Sequence, residues 1–361
     1  MQKTQLWRRL ILTSMVVLAA WLGLRHQLVG GGPKGAAPLD SFCPFGAVET
    51  AATLAVSGTF IEKTNWSNLI LFGGLVLSAF LAGSFFCGWL CPLGALQDFF
   101  AWASKKIFGR QLELGRNLDH IFSYGRYLML VIIVVATYYA NELVFESYDP
   151  YKAFFHFKFE DYIPVLVIGL FIAGSMAISR FWCRYLCPLG GLVGLFNKLG
   201  SLRPGRKAET CISCHRCDRV CPTAVKITER EKITDSSCVS CLKCVDACPV
   251  PETLTIKSKG LFLVLGLLAF FLPPLITQVT GIWQSTPVAA EIEQINDPAQ
   301  IKGWMTLEDV ARAFGLDKNQ LARELGLSEA ETGEHLKEVM AEKGKDMDYL
   351  RAYIAEKLKE K

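Results

Sequence analysis

Five apolar segments, at about residues 10–29, 69–86, 127–140, 163–179 and 261–276, limit this 361-residue chain more than anything else in it. Counted with their flanks, each approaches the roughly 20 apolar residues that an α-helix needs to cross a bilayer. Inside lipid the backbone polar groups must be satisfied within the protein, so such segments form helices. Composition agrees. Hydrophobic residues make up 51% of the chain and charged residues 20%, and mean hydropathy is +0.29, which fits an integral membrane protein. The net charge of +4 is too small to imply nucleic acid.

The first segment follows Lys3, Arg8 and Arg9, as the apolar run of a signal peptide does. No clear cleavage site follows, and it is read as an uncleaved anchor. Loops rich in Lys and Arg stay in the cytoplasm. The loop at 98–126 carries Lys105, Lys106, Arg110, Arg116 and Arg126, and residues 198–259 hold 12 Lys/Arg against 7 Asp/Glu. The loop at 29–68 has only Lys34 and Lys63, and that at 142–162 sets Lys152 and Lys158 against five acids. This alternation predicts five spans, with the N-terminus and 198–259 cytoplasmic and the tail from about 282 outside. Pro273 and Pro274 should kink or end the last span.

The cytoplasmic insert contains Cys-x-x-Cys-x-x-Cys-x-x-x-Cys-Pro twice: Cys211, Cys214, Cys217, Cys221 and Pro222, then Cys238, Cys241, Cys244, Cys248 and Pro249. This is the spacing of bacterial ferredoxins that hold two 4Fe–4S clusters, in which the fourth Cys of each copy ligates the other cluster. Cys211, Cys214, Cys217 and Cys248 are therefore expected around one cluster, and Cys238, Cys241, Cys244 and Cys221 around the second. Zinc sites do not call for eight Cys in this doubled pattern. Cys211 to His215 also matches a c-type haem attachment site, but two further cysteines follow at ferredoxin spacing. A disulfide framework needs an oxidising compartment.

Thirteen cysteines leave five outside this pattern. Phe86-Cys87-Gly88-Trp89-Leu90-Cys91-Pro92-Leu93-Gly94 closes the second span, and Trp182-Cys183-Arg184-Tyr185-Leu186-Cys187-Pro188-Leu189-Gly190 closes the fourth. The repetition suggests two parallel repeats about an axis along the membrane normal. A spacing of four puts each Cys pair on one helix face, with Pro marking a helix boundary. If the repeats face each other, Cys87, Cys91, Cys183 and Cys187 converge on a redox or metal site; the plainer reading is buried structural cysteine. Cys43, in Cys43-Pro44-Phe45-Gly46, is expected on the outer side, about a bilayer thickness away. It is either a structural cysteine or a separate ligand, unless a re-entrant loop carries it inward.

The expected fold is an all-α transmembrane bundle of about five spans in two parallel repeats, with an inserted α+β ferredoxin domain. The divisions are a membrane region at 1–200, the ferredoxin domain at 201–258, a last span at 259–281 and an acidic helical module at 282–361. That module holds 11 Lys/Arg against 16 Asp/Glu. Thr306 and Asp309 predict a capping box, Gly315 and Gly326 predict helix stops, and a charged helix should follow from about 329 to 359 with a break near Gly344. Part of the run resembles a helix-turn-helix, but a DNA reader is basic.

Two membrane Cys-x-x-x-Cys-Pro motifs ahead of a dicluster ferredoxin motif resemble the group of polyferredoxin-like membrane proteins that includes NapH, NosR and CcoG. The resemblance covers roughly residues 40–260. It implies two 4Fe–4S clusters, a further centre at the membrane cysteines, and an electron-transfer subunit rather than a stand-alone enzyme. Implied partners are a cytoplasmic donor of the ferredoxin or flavodoxin kind, quinone, and an extracytoplasmic reductase or cytochrome. Arg216, Arg219, Lys226 and Lys243 would attract an acidic donor, or serve only the charge bias of a cytoplasmic loop. The chain lacks the flavin-binding domain of NosR and its threonine motif, so FMN is not expected. The same resemblance allows another function, assembly or regulation of a metal centre by metal reduction. Transport, which the repeat also suggests, meets the objection that no span carries a mid-membrane charged pair.

Overall fold

The computed structural model describes residues 3–30, 35–57, 66–140, 143–156, 162–197, 199–283, 297–298, 301, 303, 305–328 and 331–360. Lys34, Lys63 and Lys158 of the loop counts, and Trp304, lie outside them. The chain divides into two units, residues 1–24 with 39–285 and residues 25–38 with 286–361.

The first unit is mostly helical: α1 (Lys3–Val29), α2 (Pro44–Ser57), α3 (Trp66–Ala82), α4 (Pro92–Phe108), α5 (Arg116–Ser123), α6 (Gly125–Ala140), α7 (Pro150–Phe155), α8 (Tyr162–Ala177), α9 (Phe181–Tyr185), α10 (Pro188–Phe196), α11 (Arg216–Arg219), α12 (Lys243–Ala247) and α13 (Lys259–Val279). Among the described residues, three stretches are long and apolar enough to cross a membrane: α1, the run Arg116–Ala140 and α13. The apolar helices α3 and α8 are shorter, at 17 and 16 residues. All five expected segments thus fall on apolar helices. Val17 and Trp21 of α1, Val131 and Val135 of α6, and Val264 and Leu268 of α13 are exposed. So much outward apolar surface suits lipid rather than water.

Packing between helices relies on small residues, as in membranes generally. Gly74 of α3 lies against the Phe270 backbone of α13, and Gly266 of α13 lies against the Phe85 ring. The Ser258 hydroxyl caps α13 by accepting from the Leu261 amide at 3.2 Å. The helix does not end at Pro273 and Pro274. It continues to Val279, with the Thr277 hydroxyl donating to both proline carbonyls at 2.9 and 3.0 Å.

The two repeats share a pattern of helix starts. Cys91 and Cys187 are extended residues that precede Pro92 and Pro188 at the first positions of α4 and α10. Asp149 precedes Pro150 in the same way, its carboxylate accepting from the Tyr151 amide at 2.9 Å, and Cys43 directly precedes α2, which opens with Pro44. Proline suits a first helical position because its missing N–H has no partner to lose there.

Between α10 and α13 lies the Cys-rich insert. Strands β1 (Gly205–Arg206) and β2 (Leu254–Thr255) pair antiparallel and close its ends together. In the second unit, α14 (Leu307–Phe314), α15 (Lys318–Leu325), α16 (Leu336–Glu342) and α17 (Met347–Glu360) enclose their own core around Leu307, Val310, Leu321, Leu336, Leu350 and Ile354. Thr306 and Asp309 make both bonds of the capping box, at 3.0 and 3.2 Å. Gly315 and Gly326 cap α14 and α15 in the left-handed region. The expected charged helix is two helices, α16 and α17, with left-handed Gly344 between them; residues 329–330 of that expectation lie outside the described residues.

Candidate functional site

The eight cysteines of the insert fall into two sets. Cys211, Cys214, Cys217 and Cys248 line one small cavity together with Arg206 and His215. Cys221, Cys238, Cys241 and Cys244 line a second, walled by Val225, Ile227, Ile233 and Leu242. The fourth Cys of each motif stands in the other motif's cavity. Each motif bends through two left-handed residues at matching places, Ser213 and His215 in the first, Ser240 and Leu242 in the second. Non-glycine residues rarely adopt this conformation, and its recurrence marks loops shaped for something held between them. The bends turn the Ser213 amide to the Cys211 sulfur and the Ser240 amide to the Cys238 sulfur. The Ser213 amide holds the Cys211 thiol below its ordinary pKa. Burial pushes Cys238 up to about 12 and Cys217 up to about 11. Among the described residues, no three His, Cys, Asp or Glu side chains are grouped closely enough to hold a single metal ion. His215 pairs through Nδ1 with Asp218 at 2.9 Å, and Asp218 also accepts from the Ile227 amide at 2.6 Å.

The second set is the one held against the membrane helices. The loop 235–241 is gripped at several points. Asn197 Nδ2 donates to the Asp235 and Cys238 carbonyls at 2.6 and 3.2 Å. Trp89 Nε1 donates to the Ser240 carbonyl at 3.0 Å, and Gln5 Nε2 to that of Cys241 at 3.1 Å. Arg126 Nη2 donates to the Ser236 hydroxyl at 3.0 Å. The close approach needs glycine. A Cβ on Gly88 would collide with the Val239 carbonyl, and one on Gly194 with the Ser236 carbonyl.

The membrane cysteines are brought together, but not as two same-face helical pairs. Residues 86–90 form a π-turn, in which the Cys91 amide reaches back to the Phe86 carbonyl at 2.9 Å. Cys87 is in that turn and Cys91 is past it. In the second repeat the chain breaks at left-handed Arg180, Cys183 lies in α9, and Cys187 has left the helix. The proline after each second Cys forces this, because the residue before proline is driven out of the helical region. All four thiols interact electrostatically, Cys87 with Cys91 and Cys183, and Cys187 with the other three.

Cys43 is much nearer to them than the expected bilayer thickness. Its thiol donates to Asp149 Oδ2 at 3.6 Å, and Tyr151 interacts with both Cys43 and Cys91. Cys43 directly precedes α2, and Asp149 and Tyr151 flank the start of α7.

Sequence reading missed three polar residues here. Gln97 is fully buried, donates to Cys183 Sγ at 3.0 Å and accepts from the Trp182 amide at 2.9 Å. Arg180 and Asp98 form a buried two-point ion pair, at 3.0 and 3.1 Å. Arg180 lies just past α8 and Asp98 lies in α4, so a search of apolar segments for charged pairs passes over both. Of the basic residues near the insert cysteines, Arg216, Arg219 and Lys226 are exposed, whereas Lys243 turns inward to Asp98 at 3.8 Å.

Two cysteine sets thus lie in a small insert held against an apolar helical bundle with twin Cys-x-x-x-Cys-Pro turns. The family described as a 4Fe–4S binding domain matches residues 64–111 and again 161–207, one match on each membrane repeat. The family described as a 4Fe–4S dicluster domain matches residues 203–255. The chain is similar to YccM of Escherichia coli (strain K12), whose name marks it as a candidate electron transport protein, at 28% identity over 52% of this chain and 55% of YccM. It is similar to the ferredoxin-type protein NapH of Haemophilus influenzae at 28% identity, over 60% of this chain and 74% of NapH. With the protein NirI of Paracoccus denitrificans it shares 30% identity over 61% of this chain and 31% of NirI. The chain thus spans about half the length of YccM and a third of NirI. No solved structure matches it.

Proposed function

We propose that this protein is a membrane-anchored electron carrier with one 4Fe–4S cluster in each insert cavity. Cys211, Cys214, Cys217 and Cys248 hold the first, and Cys238, Cys241, Cys244 and Cys221 the second. One observation carries the reading: the eight cysteines sort into two small cavities in the crossed combination that a two-cluster ferredoxin requires. Eight Cys in this doubled spacing, with Pro after each last one, favour a cluster over zinc. Bound clusters supply one-electron chemistry. The chain supplies thiolates, amides aimed at sulfur and an apolar wall.

The converging Cys87, Cys91, Cys183 and Cys187 form a further redox or metal centre in this reading, with Cys43 beside it through Tyr151. The match of each membrane repeat to an iron–sulfur family supports it. In this reading the insert is cytoplasmic and the acidic C-terminal unit lies outside a prokaryotic inner membrane, which the Lys and Arg counts of the loops support. Exposed Arg216, Arg219 and Lys226 suit an acidic cytoplasmic donor. Quinone or an extracytoplasmic redox protein is the other terminus.

Anaerobic purification with iron, sulfide, zinc and copper counts tests the proposal. The expected protein contains iron and sulfide and shows two cubane signals on reduction. Zinc without iron would overturn it.

A further inference from the structure

Ionic side chains from four segments meet beneath the insert. Asp98 of α4 takes both nitrogens of Arg180 at 3.0 and 3.1 Å, Arg8 of α1 at 2.5 Å and Lys243 of α12 at 3.8 Å. Arg180 and Arg8 are buried, 0% and 2% exposed. Three cations thus face one carboxylate. Nearby, Asp246 accepts from Gln5 at 2.8 Å and pairs with Lys259 at 2.6 Å. A buried pair that is electrically balanced only breaks even, and uncompensated buried charge is costly. Two buried Arg side chains facing one carboxylate, with half-buried Lys243 at the edge, therefore call for anions nearby.

The knot adjoins the first Cys turn. Arg180 Nη1 donates to the Cys87 carbonyl at 2.9 Å, and Arg8 Nε to the Gly88 carbonyl at 2.8 Å. Arg180 also interacts electrostatically with Cys183 of the membrane motif and with Cys241 of the insert, and Lys243 with Cys241. The knot exists once, although the repeats are two. With Cys87 aligned on Cys183, Arg180 corresponds to Ser84, and Asp98 to Gly194. Packing alone asks for no such asymmetry.

Resting on the proposed clusters, we propose that this cationic knot is the shared counter-charge of two thiolate-bound centres, the membrane site at Cys87, Cys91, Cys183 and Cys187 and the second insert cluster. Each one-electron reduction adds one negative charge to a centre, and buried positive charge stabilises it. Net charge around a cluster is one of the settings of its potential. The knot therefore makes these two centres easier to reduce than the first insert cluster, whose basic neighbour is Arg206. Arg180, Arg8 and Lys243 are positioning residues that rank the centres along the relay.

The test is an EPR-monitored redox titration of the full-length, anaerobically reconstituted protein, reduced stepwise with dithionite. Lys243→Gln, at the half-buried edge of the knot, is expected to move one cubane midpoint to lower potential and leave the other in place. Arg206→Gln is expected to move the other. Arg180→Gln should give the larger shift, and Arg180→Lys should recover part of it. A Lys243→Gln protein with wild-type iron content in which neither midpoint moves, or both move alike, would overturn the inference alone. A wild-type protein without iron would overturn the proposed function and the inference with it.

Discussion

Gln97 caps a helix that it does not belong to. Its carbonyl oxygen takes the Trp182 amide near the start of α9, a group without an intrahelical partner. Its amide donates to Cys183 Sγ. Gln97→Leu leaves that buried N–H without its acceptor, and a loss of about 1–3 kcal/mol is expected. Denaturant unfolding in detergent would show it, and an unchanged midpoint would refute it. The eight insert cysteines were readable from sequence because their spacing is itself the geometry of the site. Gln97, Asp98 and Arg180 were not. Their roles depend on two segments 82 or more positions apart meeting, and nothing local to either segment encodes that.

At the scale of elements, the turns that close α3 and α8 are similar but not interchangeable. The first offers Gly88, where the Val239 backbone rests. The second has Arg184 at the equivalent place, engaged with Asp119. The insert therefore seats its loop on Gly88. Gly88→Ala should push it off, at an overpacking cost of about 1–3 kcal/mol, seen as faster protease cleavage in residues 199–204 than in wild type. Apolar runs and the Pro residues made the helices and their boundaries legible. The π-turn was not, because Cys87 and Cys91 at a spacing of four read as one ordinary helical face. The nearness of Cys43 to the membrane cysteines was equally hidden, since a loop poor in Lys and Arg reads as outside whether or not it folds back into the bundle.

For the whole molecule, the two units answer to different conditions. The second has its own core and surface ion pairs. Glu331 accepts from the Ser328 amide and hydroxyl at 2.6 and 2.7 Å and pairs with Lys343 at 3.1 Å. These partners lower its pKa from an ordinary 4.5 to about 2. A carboxylate lowered on folding adds stability that is present above its unfolded pKa and lost as pH falls through the folded one. Wild type should therefore melt above Glu331→Gln at neutral pH, and the gap should narrow from about pH 4.5 and close near pH 2. A pH-independent gap would refute this. The capping box and glycine stops of this unit were legible because they are local.

The insert stands in the chain before α13, and α13 is the helix whose Gly266 and Phe270 lock onto α3. During synthesis the last membrane helix emerges only after all eight insert cysteines. The β1–β2 pair closes the insert a short step before α13 begins, so the chain delivers the start of its last helix from a point tied back to the insert's first residues.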